Sequence, residues 1–289
     1  MRAHRTSPAR QNSVHLASIF ARGNIERRPN GRLSWPGSTA NCRRKRASMF
    51  FRQIIHPERA CLSYLIGCQT VGQCAVIDPQ GSPDLTLQTV AANGMRITHI
   101  LETHIHADHL SAARELQALT GAPIYLGPGS EVHYAAQILQ DEQILEVGNR
   151  RIQVLHTPGH SPEHVCLLGD DWYLLTGDAL FVGDVGRVDL DGEAAAPEDI
   201  ERRAGQLFQS LQRLLSLPDW IEIYPAHYAG SVCGRDLDGK PISTIGRERR
   251  MNRTLGLSRP KFIQFQLANR PELPEDFRSI RKVNLGQSG

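Results

Sequence analysis

The stretch ILETHIHADHLSAA, residues 100–113, sets His104, His106, Asp108 and His109 within six positions. Three later segments carry side chains of the same kind: TPGHSPEH at 157–164 with His160, TGDALFVGDVGR at 176–187 with Asp178, and PAHYAGS at 225–231 with His227. A metal ion binds neutral imidazoles and ionised carboxylates that converge from separate parts of a chain, and loops at strand ends over a rigid sheet supply that convergence. One histidine in one loop is usually an ordinary surface or core residue. Four such loops, with Pro158, Gly159, Gly177, Pro225 and Ala226 permitting tight turns, point to a metal centre. Such a centre serves either to activate water or to handle oxygen.

Each of the four segments follows an apolar run of strand length. ITHILET reads as a buried strand that delivers the histidine cluster to a loop, and RIQVLHT, WYLLTG and WIEIYPAH do the same for the others. FFRQII, CLSYLIG and QCAVIDP read as the start of a mostly antiparallel sheet, and PIYL, QILEV and HVCLLG as further strands. A helix is expected over 83–94, with Leu85, Leu87, Val90 and Ala91 near helical spacing and Gly94 as its stop. Asp108 is placed to cap the next helix, LSAARELQALTG. Residues 197–218 form an amphipathic helix with Pro197 near its start and an apolar stripe of Ile200, Leu207, Leu211, Leu214 and Leu215. No internal repeat or linker interrupts 49 to about 256, so two sheets flanked by helices in one domain are the simplest account.

The chain of 289 residues, 40% hydrophobic, is long enough to bury a sizeable core. Its net charge of +3 hides an asymmetry. Residues 1–48 hold eleven Lys or Arg against one acid, Glu26, leaving 22 basic and 29 acidic residues in 49–289. The leader has no periodic apolar pattern and reads as disordered. It has the composition of an organelle transit peptide, and RRKR at 43–46 could touch nucleic acid. The favoured reading is an upstream extension without function, since Met49 stands immediately before the first strand. Residues 49–289 are expected to form the single domain, with a C-terminal extension from about 236. Six cysteines without a Cys-x-x-Cys pair suit a reducing compartment, and no apolar run approaches a membrane span. A cytoplasmic location is expected, with mitochondria or another organelle only if 1–48 is a transit peptide.

Taken in order, the His-x-His-x-Asp-His segment, the Gly-His loop, the Thr-Gly-Asp loop and the late His loop resemble the metallo-β-lactamase superfamily over about 49–235. The resemblance implies an α+β fold, an αββα four-layer sandwich of two mixed sheets flanked by helices, with the metal at one edge. It makes His104, His106, Asp108, His109, His160, His227 and the bridging Asp178 the candidate ligands of a two-metal site. Asp178, where zinc β-lactamases commonly carry Cys, argues against lactam hydrolysis. Two branches fit: glyoxalase II, a glutathione thioester hydrolase with a dinuclear centre, and the persulfide dioxygenases. In the second, one Fe(II) is held by the residues that here are His104, His160 and Asp178.

Three strings tilt the resemblance toward the dioxygenases. They are ETHIHADH with Glu102 and Ala107, TGDALFVGDVGRVDL, and AGSVCGRDLDGKPISTIGRERRMN at 229–252 with the ending IRKVN, similar to a bacterial branch often fused to rhodanese domains. Val188 departs from the usual Thr. The implied reaction takes the persulfide of a low-molecular-weight thiol, glutathione or coenzyme A in type, and O₂ to sulfite and free thiol, as in sulfide detoxification. A homo-oligomer and a separate rhodanese-type sulfur carrier are expected as partners.

On this reading His106, Asp108, His109 and His227 orient ligands or shuttle protons; if they hold a second ion, with Zn(II) the alternative metal, the hydrolase reading gains. Arg187 is a candidate anchor for a substrate carboxylate, or a partner of Asp184 or Asp189 inside the fold. Tyr228 is a candidate pocket wall, equally readable as core, and Cys233 a candidate carrier of sulfane sulfur, more readily read as a small buried packing residue. His99, His133, His156 and His164 are read as structural or exposed. GRERRMNR at 246–253 lacks interleaved aromatics, which leaves metal-dependent nucleic-acid binding a minor alternative.

Overall fold

The computed structural model describes residues 26–27, 33–34, 49–190, 196–268, 270, 272–273 and 275–287. The chain divides into two units, 1–47 and 48–289. Of the first, the described residues are Glu26–Arg27 and Leu33–Ser34, which pair antiparallel; the leader expected over 1–48 otherwise lies outside the described residues.

The second unit is built on two six-stranded sheets. The first runs, in spatial order, β1 (Met49–His56), β2 (Cys61–Cys68), β3 (Gln73–Ile77), β4 (Arg96–Leu101), β5 (Ile124–Leu126) and β6 (Gln137–Ile138). Its first two pairings are antiparallel and the other three parallel. The opening half thus matches the antiparallel reading. The helices α1 (Pro83–Ala92) and α2 (Ala113–Thr120) supply the crossovers of its first two parallel pairs. The second sheet runs β7 (Ile144–Val147), β8 (Arg150–His156), β9 (Val165–Gly169), β10 (Tyr173–Gly177), β11 (Glu222–Pro225) and β12 (Ser243–Thr244) in adjacent order. Here only β10 and β11 are parallel, joined through α3 (Pro197–Leu215).

The strands are buried on both faces where the sheets meet. β2 is buried along its whole length, as is β9, which explains their continuous apolar sequences. Leu62, Tyr64, Ile66, Ala75 and Ile77 of one sheet pack against Ile152, Val154, Leu167, Tyr173 and Leu175 of the other. The outer face of the first sheet is covered by α1 and α2 through Val90, Ala113 and Leu116. That of the second is covered by α3 through Ile200, Leu207, Leu211 and Leu214, and by α5 (Arg259–Ala268) through Phe262 and Ile263. Four layers, helix, sheet, sheet and helix, result.

Two local expectations fail. On α1 the buried residues are Pro83, Thr86 and Val90, while Leu85 is exposed, because Ser82 rather than the apolar spacing sets the start by accepting from the Asp84 N–H. Asp108 caps no helix: α2 begins five residues later, where the Ser111 hydroxyl accepts from the Ala113 N–H. The extension beyond 236 adds α4 (Ile245–Met251), a 3₁₀ turn, α5 and α6 (Phe277–Asn284). No helix among the described residues is long and apolar enough to cross a membrane.

Candidate metal centre

The four loops converge at one edge of the sandwich. β4 ends at Leu101, and the loop after it runs under the ends of β3 and β5. Asp78, at the end of β3, accepts hydrogen bonds from the Thr103 N–H (2.7 Å) and hydroxyl (2.9 Å). Since that hydroxyl has given its one proton away, it accepts from His104 Nδ1 at 3.0 Å. The His104 Nε2 lone pair is thereby left facing Asp178 Oδ2 at 3.9 Å. His106 is fixed in the opposite sense: its Nε2 lies 3.2 Å from Asp78 and 3.0 Å from Glu102, so Nδ1 is turned to the centre without a hydrogen-bond partner.

His160 follows Gly159, whose φ of +143° and contact with α3 suit glycine alone, since a Cβ would stand 2.4 Å from the Leu207 backbone nitrogen. Its Nδ1 donates to the Arg187 carbonyl at 2.8 Å, and its Nε2 lies 3.5 Å from Asp178 Oδ2. Asp178 follows β10. Its N–H donates to His164 Nε2 at 2.9 Å, which assigns His164 a positioning part, and both its carboxylate oxygens are buried without a hydrogen bond. His227, after β11, points Nδ1 toward the Ala60 carbonyl (3.3 Å) and Nε2 toward Asp178 (3.3 Å) and Asp108 (3.5 Å).

Two donor groups therefore lie side by side, linked by His227, whose Nε2 faces both Asp178 and Asp108. The ligand atoms of His104, His160 and Asp178 lie within 4.8 Å of one another, as do those of His106, Asp108 and His109. Asp108 Oδ1, His109 Nε2, His227 Nε2 and His106 Nδ1 have no hydrogen-bond partner despite burial. Buried polar atoms left unpaired are costly, and a cluster of them with imidazole and carboxylate chemistry fits a metal ion.

The charges of the two groups differ. Burial, reinforced by the imidazoles of His106 and His160, holds His104 well below its ordinary range. Asp178, despite burial, is drawn down to about 2 by His227 and His160. On the other side burial is outweighed: Asp108 pushes His109 up to about 9, Asp78 and Glu102 raise His106, and Asp178 raises His227. Without metal, burial favours neutral His104 beside an ionised Asp178, whereas His106, His109 and His227 are favoured in their protonated form.

Of the three residues expected to meet substrate, Arg187 pairs with Asp189 inside the fold, one of the two parts the sequence left open. It is fully buried, its fork paired with Asp189 (2.6 and 3.0 Å) and its Nη1 donating to the carbonyls of Val232 (3.0 Å) and Glu272 (3.1 Å). A guanidinium saturated in this way cannot anchor a ligand. Tyr228 is half-buried against the core between the sheets. Cys233 is buried with Ala107, Phe181 and Phe277, its sulfur within ligand distance of Asp178 and His227, and burial raises its thiol.

Cys61, which the sequence does not single out, lies in the centre. Its thiol donates to Asp108 Oδ2 at 3.2 Å and lies 4.0 Å from His109 Nδ1. Against burial, His109 and His227 draw its pKa down. Nothing in its surroundings in the sequence marks this role; an antiparallel bridge between Cys61 and His227 brings it there. Asp78 and Glu102 were likewise not assigned, although an acid at a strand end beside a His-rich loop is a usable signal. The basic run of α4 is taken up in ion pairs, Arg249 and Arg250 with Asp219 at the surface and Arg247 with Asp238 and Glu248.

The fold and the donor set agree with the sequence comparison: residues 56–227 match the metallo-beta-lactamase superfamily, and the chain belongs to it. Among its relatives is a hydroxyacylglutathione hydrolase of Actinobacillus pleuropneumoniae, 33% identical over 165 residues, which cover 57% of this chain and 65% of that protein. The chain thus spans just under two thirds of the length of that curated relative. A metallo-beta-lactamase from Staphylococcus aureus is 35% identical with a TM-score of 0.79, over 82% of this chain and 73% of that one. ETHE1 from Myxococcus xanthus is 32% identical with a TM-score of 0.70, over 83% of this chain and all of the other.

Proposed function

We propose that the protein is an Fe(II)-dependent persulfide dioxygenase, oxidising the outer sulfur of a thiol persulfide such as that of glutathione or coenzyme A. The observation that carries this reading is the compact group of His104, His160 and Asp178, two imidazoles and one carboxylate with converging donor atoms. That donor set is the one used by non-haem iron oxygenases, in which three ligands on one face leave positions open. The likeness to ETHE1 over the whole of that chain supports it. The iron would supply the redox chemistry that joins O₂ to the outer sulfur: persulfide, O₂ and one water become free thiol, sulfite and two protons.

The residues of the chain orient and hold protons in this scheme. Thr103 and the Arg187 carbonyl fix the rings of His104 and His160 by their Nδ1 atoms, and His164 fixes the backbone of Asp178. Asp108, His109 and His227 form a buried polar set beside that group, with Asp108 between the two imidazoles, suited to relaying the protons released. Substrate, O₂, a separate rhodanese-type sulfur carrier and a homo-oligomer belong to the same proposal.

A glyoxalase II-like hydrolase of glutathione thioesters is the second reading. It is favoured by the hydroxyacylglutathione hydrolase relative and by the unpaired donor atoms of His106, Asp108, His109 and His227, which suit a second ion. Offering glutathione persulfide and a glutathione thioester to iron-loaded and zinc-loaded protein in parallel separates the two. The proposal expects turnover of persulfide by the iron form; thioester hydrolysis without persulfide turnover would establish the second reading instead.

A further inference from the structure

The loop 102–112 carries four of the candidate ligands but has no regular secondary structure to hold its peptide groups. Unpaired backbone groups in a buried loop must find partners elsewhere. Four of those hydrogen bonds come from the far end of the chain. Asn284, the last residue of α6, donates from Nδ2 to the carbonyls of His106 (2.9 Å) and His109 (2.8 Å), and its Oδ1 accepts from the Ser111 N–H at 3.0 Å. Arg281, one turn earlier, donates from Nη1 to the Ile105 carbonyl at 2.9 Å. The N–H of Ile105 donates to Glu163 Oε1 at 2.9 Å, and Glu163 lies 3.9 Å from Arg281.

The peptide between His104 and His106 is thus gripped on both sides, while one amide side chain grips the rest. Arg59 completes the fastening, donating to the Asp108 carbonyl and pairing with Asp276 just before α6 at 2.8 Å. Phe277 and Ile280 bury the inner face of the helix, with Phe277 against Ala107 of the loop. A helix docked only for packing would need these apolar contacts alone; the four hydrogen bonds from Arg281 and Asn284 onto one loop are aimed at its geometry.

We infer that α6 is the positioning element of the metal loop, with Asn284 and Arg281 as positioning residues whose part is to set the affinity of the centre for its ion. The inference rests on a metal bound by the loop. The mechanism is indirect: removing the Asn284 amide frees three backbone groups, and the rings of His106 and His109 lose their fixed direction. Removing the Arg281 donor loosens the peptide that sets His104. Partners of this kind, which orient ligands without touching the ion, typically change metal affinity by ~10–100-fold.

The test measures iron and zinc affinity by chelator competition in the full chain, together with the denaturant midpoint of the metal-free protein. Variants are Asn284→Ala, Arg281→Met and Arg281→Lys. Expected is at least a tenfold loss of affinity in Asn284→Ala and in Arg281→Met, with Arg281→Lys, which keeps a donor, recovering much of it. A purely structural part would lower the metal-free midpoint and leave the affinity of the folded fraction unchanged. Arg281 is partly exposed, so its variants report even if Asn284→Ala does not fold. Affinities within twofold of the wild type in folded variants overturn the inference, whereas absence of metal binding by the wild type overturns the metal centre itself.

Discussion

Gly177 joins β10 to Asp178, and replacing it with alanine tests whether the carboxylate is held by the geometry described. Its φ is +48°, and an added Cβ would stand 2.5 Å from His164 Nε2 and 2.8 Å from Thr103 Oγ1. Both neighbours are buried and both orient ligands, His164 by accepting from the Asp178 N–H and Thr103 by accepting from His104. A left-handed backbone costs an L side chain about 1–2 kcal/mol. Displacing His164 leaves the buried Asp178 N–H without an acceptor, a further loss of about 1–3 kcal/mol. Gly177→Ala is therefore expected to lose about 2–5 kcal/mol in urea unfolding of the metal-free protein, and to bind metal more weakly. Gly129→Ala is the control, since Gly129 has φ +78° with nothing within 4 Å of a Cβ. It should lose only the backbone part, about 1–2 kcal/mol, and keep its metal affinity. Equal losses in the two variants, or unaltered metal affinity in Gly177→Ala, would refute the reasoning.

Other outcomes follow from the same geometry. Arg187→Met strips the buried Asp189 of its partner and should cost about 3–5 kcal/mol of stability, read as a fall in the unfolding midpoint; a folded, stable variant with only a raised KM would restore Arg187 as a substrate anchor. In metal-free protein His109 is raised from 6.5 to about 9 by Asp108 against burial, so its stabilisation is full below about pH 6.5 and is lost as the pH rises through about 9. Asp178 is lowered from 3.8 to about 2 by His227 and His160 against burial, so its stabilisation is present above about pH 3.8 and is lost as the pH falls through about 2. Unfolding midpoints across pH should show both limbs, and His109→Gln should flatten the alkaline one; an unaltered alkaline limb contradicts the assignment. Withdrawing a metal present at ~100 times its Kd should lower the unfolding free energy by about 2.7 kcal/mol, measurable by adding a chelator before denaturation.

Much of this architecture was legible because strand and loop alternate in the sequence with the side chains that matter at the loop ends. The run ITHILET and the donors after it declare themselves in one window, and so do WYLLTG and Asp178. What could not be read is whatever depends on contacts across long stretches of chain. Cys61 reaches the centre because β2 starts beside the end of β11, and Asn284 reaches the loop from 175 residues away. Spacing within a window cannot report such meetings. Arg187 stood open between substrate anchor and internal partner for a related reason: adjacency to Asp184 and Asp189 suggests a pair, but only the fold shows Asp189 and two distant carbonyls taking up its donors. Leu85 fitted an apolar stripe, yet α1 buries Pro83, Thr86 and Val90 and leaves Leu85 exposed.

The central claim is that His104, His160 and Asp178 form an oxygen-handling centre. Oxygen consumption by the iron-loaded protein on addition of glutathione persulfide, with sulfite measured in the same vessel and His104→Ala as the control, tests it most directly. The account predicts uptake matched one-to-one by sulfite, abolished in the variant. No uptake by protein shown to contain iron, with persulfide unconsumed, would contradict it.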